Sequence, residues 1–231
     1  MQTTLSISIR LLTICSLFAL PAAAIRAKAQ DASSAGNLQF NYAFVALTDN
    51  GESPKLVAVE SNQRLRSGDK LKFYLEALSE AYLYLFHVDP DGVLSQVFPG
   101  SQQNAKVPLD RKVSIPSGNK WLELDSRTGM EKFYLIASQN RQERLENLYT
   151  QYDLTVEGTE SFRRSREEIL DEINKIRQNN LSKNAERPVR IGGSFRGPGS
   201  NASEPGLDIT HLASKVATTG AYSRFFTIDH R

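Results

Sequence analysis

Cysteine is almost missing from this chain: the single one, Cys15, stands in an apolar stretch near the start, and none follows. Beyond that point disulfide staples, a Cys-His nucleophile and thiolate metal sites are excluded, so stability has to come from packing. Histidine is nearly as sparse. His87, His211 and His230 are the whole supply, too few and too scattered for a zinc cluster. No apolar run reaches the roughly 20 residues of a membrane-spanning helix. Charge of one sign is also lacking, since 28 basic side chains face 26 acidic ones. Without a clustered basic face, nucleic acid and anionic membrane are not expected partners.

What is present begins with an export pattern. Arg10 precedes the apolar residues 11–20, then Pro21 and Ala22-Ala23-Ala24, the order of a secretory signal peptide over residues 1–29. Cleavage after Ala24 or after Ala29 fits the small-x-small rule. The second removes Arg10, Arg26 and Lys28 and no acid, which leaves 25 basic and 26 acidic side chains, a net charge of about −1. Leu12-Thr13-Ile14 before Cys15 puts branched residues where lipidation needs small ones. The expected location is therefore periplasmic or secreted, with no stable membrane insertion after cleavage.

Residues 30–37 are small and polar, a flexible leader. From 38 the period becomes two. Leu38, Phe40, Tyr42, Phe44 and Ala46 alternate, a turn follows at Thr48-Asp49-Asn50-Gly51, and a second strand is expected over 55–60. After the turn Ser67-Gly68-Asp69, Leu71, Phe73, Leu75 and Ala77 share one face. Tyr82-Leu83-Tyr84-Leu85-Phe86-His87-Val88 is apolar on nearly every position, as in a strand covered on both sides. Asp89-Pro90-Asp91-Gly92 then reads as a hairpin turn into 93–98. Further strands are expected at 112–115, 121–124 and 132–137, a short one at 189–191 and a last one at 222–228; residues 208–219 are ambiguous.

Two stretches have helical spacing. Leu145, Leu148, Tyr149 and Tyr152 define one helix over 140–153, and Ile169, Leu170, Ile173 and Ile176 define another over 162–179 behind a capping box Ser165-x-x-Glu168. The mixed charges of the second read as a solvated face. The fold class is mainly β: an immunoglobulin-like antiparallel β-sandwich over 38–231 with a two-helix insertion at about 140–180, α+β being the alternative.

No pattern with catalytic, cofactor-binding or metal-ligating spacing survives. Gly192-Gly193-Ser194-Phe195-Arg196 carries Arg where a nucleophile elbow needs Gly. Asp89-Pro90-Asp91-Gly92 lacks the later ligands of a calcium loop. Gly197-Pro198-Gly199-Ser200-Asn201-Ala202 has the string of a dinucleotide loop without the strand and helix around it. Tyr74, Tyr82, Tyr84 and Trp121 could line a ligand face, but aromatics in strands are first of all sheet formers.

A family resemblance rests on Ser67-Gly68-Asp69-Lys70-Leu71, Tyr82-Leu83-Tyr84-Leu85-Phe86, Asp89-Pro90-Asp91-Gly92, Val97-Phe98-Pro99, Val113-x-Ile115-Pro116 and Gly129-x-Glu131-Lys132-Phe133-x-x-Ile136-Ala137-Ser138, with Phe195-Arg196-Gly197 and Ile228-Asp229-His230-Arg231 further on. These residues resemble the bacterial family known as domain of unknown function 4384. The resemblance implies an exported β-rich accessory domain and carries over no active site. The functional expectation is a non-enzymatic module of the cell envelope that binds a protein or envelope ligand through a sheet edge or the loop 192–206, without a cofactor. The alternatives are an extracytoplasmic hydrolase assembled only in three dimensions, with His87 and Asp89 or Asp91 as the first pair, and a self-associating structural component.

Overall fold

The computed structural model describes residues 37–49, 54–101, 103–180, 185–189, 209 and 211–231. The expected export signal, the leader up to residue 36 and the loop 192–206 with its two glycine strings lie outside the described residues.

In chain order the elements are β1 (Leu38–Thr48), β2 (Lys55–Ala58), β3 (Gln63–Leu65), β4 (Lys70–Ala77), β5 (Ala81–Val88), β6 (Leu94–Phe98), β7 (Lys106–Val107), β8 (Lys112–Ile115), β9 (Leu122–Glu123), β10 (Gly129–Ser138), α1 (Glu143–Asp153), α2 (Glu160–Asn180), β11 (Ala185–Val189), β12 (Ala213–Thr218) and β13 (Ala221–His230). The strands form a β-sandwich. One sheet runs β11-β12-β1-β4-β8, with β2 on β1 and β9 on β4; the other runs β3-β13-β10-β5-β6, with β7 on β5. Among the described residues only β3 and β13 pair in parallel.

The alternation read in the sequence is what builds the core. Leu38, Phe40, Tyr42, Phe44 and Ala46 of β1 face inward against Leu83 and Leu85 of β5, Phe133 and Leu135 of β10 and Phe226 of β13. Phe44 stacks on Phe73 at 3.7 Å and meets Phe133 and Phe226 at 5.2 and 5.0 Å. Each such ring contributes roughly 2–3 kcal/mol by leaving water. The opposite residues of β5, Tyr84, Phe86 and Val88, meet Leu145, Tyr152, Phe162, Ile169 and Ile173 of the two helices. β5 is apolar on both faces because it is a middle layer, with the first sheet on one side and the helices on the other.

Several local expectations shift. The short strand expected at 189–191 is β11, which ends at Val189, and the ambiguous stretch 208–219 contains β12. Ser165 and Glu168 lie inside α2, so they make no capping box. The cap is Thr159, whose Oγ1 accepts the Phe162 N–H at 3.2 Å. β3 and β7 were not foreseen, being too short for any period to register.

Candidate functional site

Four polar residues meet at one end of the sandwich. Glu131, on the inward face of β10, is buried; its Oε2 lies 2.5 Å from Nε2 of His87 on β5 and its Oε1 3.4 Å from Nδ1 of His230 at the end of β13. Nε2 of His230 lies 3.0 Å from the hydroxyl of Ser67, an exposed residue in the turn before β4. A buried carboxylate needs partners, and two imidazoles on flanking strands supply them. His87 also stacks on Phe133 at 4.5 Å.

Ser67, His230 and Glu131 have the order of a nucleophile, base and orienting acid. Two of the backbone donors at this turn are already taken. The Gly68 N–H is given to the Leu124 carbonyl at 2.8 Å and the Asp69 N–H to the Arg66 carbonyl at 3.0 Å. The relay ties the 66–69 turn, β5, β10 and the C-terminal strand to one another.

The two sheets differ at the edge where β6 and β8 lie. In antiparallel pairs the backbone groups of successive residues point alternately toward and away from the partner strand. The Asp89 N–H bonds to the Val93 carbonyl, so the N–H groups of Leu94 and Gln96 point outward from β6. Both are taken by α1: the hydroxyl of Tyr152 accepts the Leu94 N–H at 2.9 Å and that of Tyr149 accepts the Gln96 N–H at 3.0 Å. Burial raises the pKa of both tyrosines and keeps the hydroxyls neutral. The helical insertion thus closes this edge of its sheet.

On β8 the same logic gives an open edge. The Ala77 N–H bonds to the Arg111 carbonyl, so Val113 and Ile115 face β4 and Ser114 faces away. Among the described residues the outward N–H and C=O of Ser114 take no partner.

A cavity of about 350 Å³ wraps around that edge, with Phe98, Val107 and Val113 on its apolar side and Tyr74, Lys112 and Ser114 on the other. A second of about 350 Å³ continues past Ile115 and Pro116 to Lys120, sharing Phe98, Gln103, Ser114 and Ser117 with the first. A larger cleft of about 830 Å³ opens between the 99–106 segment and α1. Its lining mixes charges, Lys106 and Arg141 with Glu146 and Asp153, and Arg141 pairs with Glu146 at 2.6 Å. A cavity of about 180 Å³ beside the relay is lined by His87, Asp89, Asp125, Arg127 and Glu131.

Of the residues that the sequence grouped, His87 and Asp89 line one small cavity and each has a partner of its own. His87 pairs with Glu131 across the sheet. Asp89 accepts the Val93 N–H at 2.7 Å and lies 3.6 Å from Arg127, which also meets Asp91 at 3.4 Å. Tyr84 is fully buried and donates to Glu146 at 2.7 Å, so it lines no ligand face. Tyr82 lines the larger cleft and Tyr74 the groove at β8. Trp121 lies 5.1 Å from the Lys72 ammonium, which donates to the Gly118 carbonyl at 2.5 Å. His211 stands before β12, outside the relay. Sequence reasoning missed the relay of Ser67, Glu131 and His230, and missed β8 as the open edge. The one usable signal was a charged residue, Glu131, in phase with the core positions 133, 135 and 137.

Among the described residues no group of three or more His, Cys, Asp or Glu side chains could hold a metal ion, and no helix is long and apolar enough to cross a membrane. Residues 64–141 match the model of a family described as a domain of unknown function, DUF4384. The central block of the resemblance, from Ser67 to Ser138, falls inside that match; the segments at 195–197 and 228–231 fall outside it. No curated protein and no solved structure matches the chain.

Proposed function

We propose that this chain, whose residues 64–141 match the DUF4384 family model, is an exported, non-enzymatic recognition module of the cell envelope that takes up its partner along the free edge of β8. The observation that carries the reading is the contrast between two edges on one side of the sandwich. The outward N–H groups of β6 are capped by Tyr149 and Tyr152, while those of Ser114 on β8 are left to solvent beside an apolar groove. Exposed strand edges are templates for pairing and are normally covered; one left open next to a groove is the arrangement used in strand addition. Export is supported by the charge, apolar run and small residues of 1–29, and by the absence of cysteine after them.

The test is photo-crosslinking in the producing cell. A crosslinking residue at position 114 should give discrete adducts, and one at the exposed Glu168 on α2 should give none. Adducts of equal yield from both positions, or none from 114, would count against the edge. N-terminal sequencing of the same purified protein checks export: a chain that retains residues 1–24 contradicts it.

A second reading is favoured by one distance, the 3.0 Å between the Ser67 hydroxyl and Nε2 of His230. In a hydrolase Ser67 would add to an ester carbonyl as His230 takes its proton. A fluorophosphonate probe that labels the protein but not its Ser67→Ala variant would establish it; an unlabelled protein disposes of it.

A further inference from the structure

The two cavities along β8 have an unusual charge balance. Lys106, Arg111, Lys112 and Lys120 line them, and no carboxylate does. Lys106 and Lys112 reach acids outside the lining, Glu80 at 2.9 Å and Glu76 at 3.6 Å. The Lys106–Glu80 pair is exposed on both sides and exchanges readily for another anion, whereas Glu76 is half-buried and also accepts from Asn41, so Lys112 is the more firmly held of the two. Arg111 has no ionic partner among the described residues. The neighbouring cleft at α1 differs, since Glu146 and Asp153 balance its Lys106 and Arg141. The cationic character therefore belongs to the open edge.

Resting on the strand-addition reading above, we infer that the occupant of the β8 edge is an extended acidic polypeptide segment in which apolar side chains alternate with Asp or Glu. A strand laid beside β8 sends successive side chains to opposite faces. One set would enter the apolar side formed by Phe98, Val107 and Val113; the other would meet the face that carries Lys112. A polypeptide is the class that fits, because only a peptide backbone offers a donor and an acceptor at the spacing of the Ser114 N–H and C=O. Apolar contact and main-chain bonds supply the adhesion, and the cations select the sign of the partner.

The experiment uses the processed protein and blocked synthetic octapeptides followed by fluorescence anisotropy. The probes are an alternating Glu-Val peptide, the same peptide with Lys for Glu, and two versions of the first N-methylated at alternate residues in one register or the other. The Glu-Val peptide is expected to bind, the Lys-Val peptide about tenfold or more weaker, and one methylated register to lose binding while the other keeps it. Arg111→Glu should weaken the Glu-Val peptide by a similar factor and leave the thermal transition in place. If Lys-Val binds as well as Glu-Val, the acidic preference is overturned and the edge stands. If both methylated registers bind like the parent, the edge itself is overturned. If no peptide binds, both are.

Discussion

Glu131 is the residue with the most at stake. Its buried carboxylate has both oxygens on imidazoles, and removing one side of a buried polar pair costs the other side its partner, here most of all at Nδ1 of the fully buried His230. Glu131→Ala should therefore lower stability by roughly 3 kcal/mol, and Glu131→Gln, which keeps the shape and one hydrogen bond, by less. Urea unfolding of the three proteins gives the order, and equal midpoints would show that the relay contributes nothing. Ser67→Ala should change little, since Ser67 is exposed. The sequence pointed to the neighbours of His87, Asp89 and Asp91, because adjacency is all that a linear reading offers. The actual partner lies 44 positions on. It is brought there by a register, Phe133 opposite His87, that no propensity specifies.

At the scale of elements, α1 does two jobs with one face. Leu145 and Tyr152 are buried in the layer over β5, while the hydroxyls of Tyr149 and Tyr152 cap the edge of β6. The spacing Leu145, Leu148, Tyr149, Tyr152 was legible as a helix and as an apolar stripe. The hydroxyls were not legible, because their targets are backbone groups of a strand more than 50 residues earlier. Tyr149→Phe and Tyr152→Phe each keep the ring and lose the acceptor, so each should cost about 1–2 kcal/mol through an unsatisfied N–H. The double variant should also associate at high concentration through the uncovered β6, which sedimentation velocity would detect; a monomeric double variant would mean that the ring bulk alone protects the edge. The start of α1 adds a pH dependence. Burial opposes the charge of Glu146, but hydrogen bonds from Arg141 and Tyr84 outweigh it and hold its pKa below the usual carboxylate value. A depressed folded-state pKa contributes stability that is complete above the unfolded pKa and is lost as pH falls through the folded one. The acid limb of unfolding should accordingly be shallower in Glu146→Gln than in the parent, which a series of thermal scans between about pH 5 and pH 2 would measure.

For the whole molecule, the three layers cannot be divided where the family match divides the chain. Residues 64–141 contain β4 to β10, with strands from both sheets, and stop just before α1. Missing from that segment is β1, which pairs with β4 from Phe40 to Leu47, and β13, which pairs with β10 from Gly129 to Ser138. Also missing are the helices over Tyr84, Phe86 and Ile136, which are fully buried here. A fragment of residues 64–141 would keep the hairpin β5-β6 but expose the central strand of each sheet on a flank and the second sheet on its outer face. Small domains bury too little surface to tolerate such losses. The fragment should lack dispersed amide resonances and bind a hydrophobic dye, whereas residues 37–231 should unfold in one cooperative urea transition. A dispersed spectrum from 64–141 alone would mean that the central block carries its own core. The open edge of β8 would then belong to that block rather than to the full sandwich, and the β1 flank of β4 would compete with it for any added strand.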